Sequence, residues 1–214
     1  MLRIINNQCL IWPLFTLLFS LLAAQIVVAS SQGHAVILQY HHIDTNTPAV
    51  TSISPEKFEQ HLQLIEDEGF EVLPLETIIN RIQSGITFTQ KTLAITFDDN
   101  YASIYQNGFP LLKKRNWPFT VFVNPDSIKN KPSFNMSWGQ LEELQENGGT
   151  IVNHTMKHIH LLKRHNKESK SDWLTRVESN IDDAQALLKR RLGTQLKWLA
   201  YPYGEFDEAL KGKI

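Results

Sequence analysis

Cysteine is nearly absent. Among 214 residues the one cysteine is Cys9, inside an apolar N-terminal segment, so the rest of the chain has neither a disulfide nor a thiolate metal ligand. No cysteine ends that apolar segment, which excludes a lipoprotein box. An excess of one charge is missing too: 21 Lys and Arg face 22 Asp and Glu, for a formal net charge of −1. Nucleic acid as the main partner would favour a clustered basic face, and this balance argues against it. Internal repeats and low-complexity tracts are also lacking, and Lys163 to Lys170 is a polar, basic linker with the character of a solvated loop.

What is present begins with a leader. Arg3 precedes an apolar stretch, Cys9 to Val28, that runs into the small residues Ala29, Ser30 and Ser31. A positive charge, an apolar core and a small-residue site together read as a secretory signal spanning residues 1–29. The stretch approaches membrane-spanning length, so an uncleaved N-terminal anchor, with membrane association through this segment, is the alternative. Both readings place the remainder outside the cytoplasm: periplasmic, extracellular or membrane-anchored. Taking away residues 1–29 removes Arg3 alone and leaves a slight acidic excess, which suits a neutral or weakly cationic substrate. With 42% apolar and 20% charged residues, the chain has the composition of an ordinary domain with a full-sized core.

Strands alternate with helices along the chain. Ala35 to Tyr40 reads as a buried first strand ending in His41-His42. Ser54-Pro55 opens a helix with apolar Phe58, Leu62 and Ile65 and a stop at Gly69, and Leu75 to Ile82 is a second helix closed by Gly85. Thr92 to Phe97 is a strand, with Asp98 and Asp99 at its carboxyl end, and a helix follows from Tyr101 to Arg115. Phe119 to Val123 is β-branched and aromatic, hence a strand. Ser137-Trp-Gly-Gln140 resembles a capping box opening a helix to Asn147, and Thr150 to Asn153 is a strand that delivers His154. Ser169 to Arg191 sets Trp173, Val177, Ile181 and Leu188 near one face of a long amphipathic helix, and Leu196 to Ala200 reads as a last strand running into Tyr201-Pro-Tyr-Gly204. In a parallel barrel the carboxyl ends of the strands share one face, so Asp98, Asp99, His154, His158 and Tyr203 can converge although they are far apart in sequence.

Each motif has a chemical and an ordinary reading. Adjacent side chains at a strand end diverge, so Asp98 and Asp99 can divide metal binding and substrate chemistry between them; the ordinary alternative is a turn-initiating Asp-Asp-Asn. His154 and His158, four apart, fit one helical turn or a compact loop, and two imidazoles with one carboxylate make a three-ligand open metal site. The alternative is a surface pair in a stretch that also contains His160 and His165. Tyr201-Pro-Tyr-Gly204 offers a backbone N–H to an oxyanion, or an ordinary Pro-Gly turn with a packing tyrosine. His41-His42 lines the same cleft or is held structurally, the latter being favoured. Trp138, Trp173 and Trp198 read as packing residues rather than sugar platforms.

Taken in order, Thr96-Phe-Asp98-Asp99-Asn100-Tyr101, His154-Thr-Met-Lys-His158 and Tyr201-Pro-Tyr-Gly204 resemble the first three motifs of the polysaccharide deacetylases, the NodB-homology enzymes of carbohydrate esterase family 4. Gln39-Tyr-His-His-Ile43 and Ser54-Pro-Glu-Lys-Phe58 are similar to the N-terminal part of the exported poly-N-acetylglucosamine deacetylase branch. The resemblance covers about residues 35 to 210. It implies an α/β fold, a distorted (β/α) barrel of the NodB-homology type, with residues 30–90 as an N-terminal extension and residues 91–214 as the catalytic domain. It also implies Asp98 as general base, Asp99, His154 and His158 as ligands of a divalent metal, commonly zinc, and the Tyr203 backbone N–H at the oxyanion. The expected activity is hydrolytic removal of N-acetyl groups from an N-acetylglucosamine-containing polysaccharide, the alternative being a catalytically weak carbohydrate-binding remnant.

Two departures from the family pattern stand out. An arginine that orients the base often precedes the Pro-Tyr, and the corresponding position here is Ala200; some exported members share the Tyr-Pro-Tyr-Gly form. The family also continues through strands that supply an orienting Asp and a late Leu-His whose imidazole is the general acid, whereas no histidine follows His165. The expectation is therefore a barrel incomplete at its C-terminus, with an exposed sheet edge.

Overall fold

The computed structural model describes residues 33–211; the signal or anchor read at residues 1–29 lies outside them. Five parallel strands form the main sheet. They are β1 (Ala35–Tyr40), β4 (Glu71–Val72), β5 (Thr92–Asp98), β6 (Phe119–Val123) and β7 (Gly149–Asn153). The order is β1-β5-β6-β7, with β4 beside the first half of β5 where β6 has not yet begun. A two-residue pair, β2 (His42–Ile43) and β3 (Ser52–Ile53), lies apart from it.

Every residue of β5 is buried, as expected of a parallel strand covered on both faces. Alternation decides where each side chain goes. Leu93, Ile95 and Phe97 join the larger core cluster, whereas Ala94 packs with Phe122 and Val152 in a second one. Two residues beyond Ala94 comes Thr96, then Asp98, so the second face turns polar at the carboxyl end of the strand. Asn124 follows Phe122 on β6 by the same step, and His154 follows Val152 on β7.

Helices pack against both faces of the sheet, most of them against the first. Helix α1 (Pro55–Asp67) is capped by Ser54, whose hydroxyl accepts from the Lys57 N–H at 3.2 Å, and it buries Phe58, Leu62 and Ile65. Helix α2 (Leu75–Gln83) lies against the second cluster through Leu75 and Ile78. Helix α5 (Trp138–Glu146) opens on the full Ser137/Gln140 capping box. Helix α6 (Lys170–Leu192) buries Trp173, Val177, Ile181, Ala184 and Leu188 along one stripe and ends at Gly193, whose φ of 68° closes it in the left-handed conformation. Trp173 is a packing residue, its indole N–H donating to the Leu161 carbonyl at 2.7 Å.

The structure corrects four details of the sequence reading. Strand β1 is not buried: it is an edge strand, with Val36 43% and Ile37 51% exposed. The segment after Tyr101 is not one regular helix. Residues Ile104–Gly108 form a π-helical turn before α3 (Phe109–Arg115), where Pro110 has no N–H to give to a regular ladder. Leu196 to Ala200 does not form a strand; it makes one parallel bridge, Asn153 to Leu199. Helix α4 (Pro125–Asn130), with Asn124 at its cap position and proline at the first turn, is an element additional to those read from the sequence. Among the described residues the sheet does not close on itself.

Phe58 is fully buried and meets Tyr40 and Phe97 edge-on, with centroids 5.0 and 6.0 Å away. Phe58→Ala is expected to cost about 3–5 kcal/mol of stability, read from urea unfolding midpoints.

Candidate active site

Asp98 closes β5, and Asp99 then adopts φ 61°, a left-handed conformation that aspartate tolerates better than most residues. That reversal sends two buried carboxylates in different directions. Asp99 accepts from the Asn124 side-chain amide through Oδ1 at 2.6 Å. Asp98 instead accepts, through Oδ2, from the Gln39 side-chain amide on β1. Between strands, Asn100 is fully buried, and its Oδ1 receives the Asn124 backbone N–H and the Ser127 hydroxyl, both at 3.2 Å. The ends of β5 and β6 are thereby fastened together.

His154 arrives from β7, its N–H donating to the Val123 carbonyl at 2.9 Å. Its Nδ1 lies 2.9 Å from the Ala200 carbonyl oxygen. A carbonyl only accepts, so the proton sits on Nδ1 and the Nε2 lone pair faces Asp99. The chain then turns through Thr155 and His158, both at positive φ (64° and 49°), with the His158 N–H donating to the Thr155 hydroxyl at 3.1 Å. A compact loop, not a helical turn, therefore brings the second imidazole back. His154 Nε2 and His158 Nε2 lie 3.9 and 3.6 Å from Asp99 Oδ1. One ligand atom from each of Asp99, His154 and His158 falls within 4.8 Å of the others.

This donor set fits a divalent cation. Zinc–nitrogen and zinc–oxygen bonds of about 2.0–2.2 Å put tetrahedral neighbours roughly 3.4 Å apart, close to the two separations from Asp99. Burial pushes the His158 imidazole below its ordinary value, which keeps it neutral and able to donate a lone pair.

A cavity of about 900 Å³ contains Asp98, Asp99, His154, His158, His41 and Tyr203 in its wall, within the range of small-molecule sites. The His41-His42 pair is split. His41 lines this cavity, whereas His42 is buried and stacks on Tyr101 at 3.6 Å and 23°. Tyr203 has φ 59°, and its ring is well exposed at the cavity rim. It stacks on His160 at 4.0 Å and meets His158 edge-on at 4.7 Å. His160 Nδ1 reaches Glu205 Oε1 at 2.8 Å. The sequence reading had treated His160 as background in a His-rich stretch; its pairing with Glu205, 45 residues on, left no local signal. Gln39 and Asn124 were also missed as partners of the two aspartates, since an amide in a strand or after one has no distinguishing pattern.

Residues 85–213 match the family model described as polysaccharide deacetylase. The chain belongs to that family. This polysaccharide deacetylase family member is 30% identical over 161 residues to a Staphylococcus epidermidis protein named poly-β-1,6-N-acetyl-D-glucosamine N-deacetylase, covering 73% of this chain and 55% of the relative. The structure of IcaB from Ammonifex degensii superposes with a TM-score of 0.74 at 26% identity, covering 84% of this chain and 78% of that one. The Streptococcus pyogenes deacetylase PplD, solved in complex with acetate, superposes with a TM-score of 0.73 at 24% identity, over 83% and 77% of the two chains. The fold is thus the α/β, distorted-barrel fold of the NodB-type deacetylases. The family member spans little more than half the length of the curated relatives it matches.

Burial holds the His42 imidazole below its ordinary pKa of 6.5. Between that value and the lower folded one, the unfolded chain binds more protons, so stability falls as pH drops through the window. His42→Phe keeps an aromatic stack and removes the titration. Urea midpoints at about pH 7.5 and about pH 5 should therefore separate less in the variant than in the parent.

Proposed function

We propose that this protein removes N-acetyl groups by hydrolysis from an N-acetylglucosamine-containing polysaccharide. One observation carries the reading: two carboxylates from the end of β5 and two imidazoles from the end of β7 face a single cavity, with one carboxylate and both imidazoles within mutual reach. The activity for which the S. epidermidis relative is named supports the choice of substrate.

Asp99, His154 and His158 would hold a divalent cation, zinc by the nature of the donors. When bound, it would polarise the acetamide carbonyl and make water more acidic. Asp98 takes a proton from the water as that water adds to the carbonyl carbon. The Tyr203 backbone N–H, presented by the left-handed turn, receives the charge that develops on the carbonyl oxygen. The carbon–nitrogen bond then breaks, acetate leaves, and the amine takes up a proton. His41 is the histidine in the cavity wall that is not gathered around Asp99, and we assign it the delivery of that proton. It stands directly after β1 rather than late in the chain, where the family pattern puts its general acid.

The division into a leader at residues 1–29, an N-terminal extension at 30–90 and a catalytic domain at 91–214 belongs to this proposal, with the extension supplying His41 and Gln39 to the cavity. So does export, to the periplasm, the cell exterior or a membrane-anchored position. Among the described residues no helix is long and apolar enough to cross a membrane.

The two aspartates should separate by experiment. Asp99→Ala should abolish zinc binding in a calorimetric titration and, with it, acetate release from a chitooligosaccharide or poly-N-acetylglucosamine. Asp98→Asn should still bind zinc while acetate release falls by about 10²–10⁴-fold. Equal zinc retention by both variants would show the assigned division of roles to be wrong. If the zinc-loaded parent binds the glycan without releasing acetate, the chain is a binding remnant instead. His41→Ala should retain zinc and lose about 10²–10⁴-fold in kcat; an unchanged kcat removes His41 from the reaction.

A further inference from the structure

We propose that Gln39 is the positioning residue for Asp98, an assignment that rests on reading Asp98 as the base. In the parallel register of β1 and β5, Gln39 pairs with Thr96. Paired residues of adjacent strands share a face, and Asp98, two residues beyond Thr96, shares it as well. The geometry therefore directs the Gln39 side chain along the strand toward the carboxylate, where its amide nitrogen donates to Oδ2. Among the described residues no other side chain hydrogen-bonds to Asp98. Ala200 presents only a methyl group, and its carbonyl is used by His154.

The two carboxylates thus have separate holders on opposite sides of β5. Asn124, beyond β6, holds Asp99 at 2.6 Å, and Gln39, on β1, holds Asp98. A hydrogen bond at one oxygen restrains rotation about the last side-chain bond, so the carboxylate keeps one orientation in the cavity wall. A neutral amide does this without adding a cation next to the divalent-ion site, which an arginine in the same place would do. Gln39 sits on the edge strand and is exposed, so its replacement leaves the core untouched.

The test uses the full chain loaded with zinc and an N-acetylated chitooligosaccharide. Gln39→Met keeps the length of the side chain and removes the donor. It should lower kcat by about 10- to 100-fold, the scale of a misplaced reacting group, while KM and the zinc Kd each stay within about twofold of the parent. Combining Gln39→Met with Asp98→Asn should give the kcat of Asp98→Asn alone, because the amide acts through that carboxylate. A parental kcat in Gln39→Met, losses that multiply in the double variant, or a weakened zinc Kd would each overturn the assignment. Should the parent release no acetate, the deacetylase reading fails by itself, and Gln39 is judged by urea unfolding of the same four proteins: non-additive effects of the two substitutions uphold the contact, and additive ones overturn it.

Discussion

Two carboxylates side by side at the end of a fully buried strand repel one another, and the low polarity around them strengthens that repulsion. The site depends on keeping them apart. The left-handed backbone at Asp99 turns the second carboxylate away from the first, and each is then held by the amide of a different neighbouring strand region. Asn100, wholly buried and hydrogen-bonded across to the Asn124 backbone, fixes the spacing between those regions. The polar pocket is therefore an outgrowth of strand register: the same alternation that sends Phe97 into the core sends Asp98 to the open face.

The imidazole side of the site is built differently. His154 is an extension of β7, tied through Nδ1 to a carbonyl of the segment that follows α6. His158 is placed by a loop containing two residues at positive φ, one of them the β-branched Thr155. Such a conformation is costly for threonine, and it persists here because the surrounding hydrogen bonds over-determine it: Asn153 Oδ1 receives the Thr155 N–H at 2.7 Å, and Asn180 Oδ1 receives the Met156 N–H at 3.1 Å. Helix α6, far along the chain, thereby helps to shape the turn that presents the second imidazole of the cluster.

Much of this was legible in the sequence because it is local. Buried strands read as apolar runs, Ser54 and Ser137 announce their helices, and polar residues stop each strand at the same end, so the gathering of Asp98, Asp99, His154 and His158 follows from a parallel sheet. The rest depends on contacts between distant segments. An apolar run cannot say how many neighbours it has, which is why Ala35 to Tyr40 looked buried although it forms an edge. Leu196 to Ala200 has the residues of a strand but only one bridging partner on β7. The Asn124-Pro125 start of α4 is a short helix signal between two stronger strand signals. Gln39, Asn124 and His160 gain their meaning only from partners 59, 25 and 45 positions away.

The stack of His160 on Tyr203, locked by Glu205, joins the loop after β7 to the turn at Pro202–Gly204. Tyr203 also rests edge-on against His158. The rim is consequently a linkage rather than a row of independent side chains. Glu205, His160, Tyr203 and His158 run as one unbroken series of contacts from the mouth of the cavity to the imidazole beside Asp99.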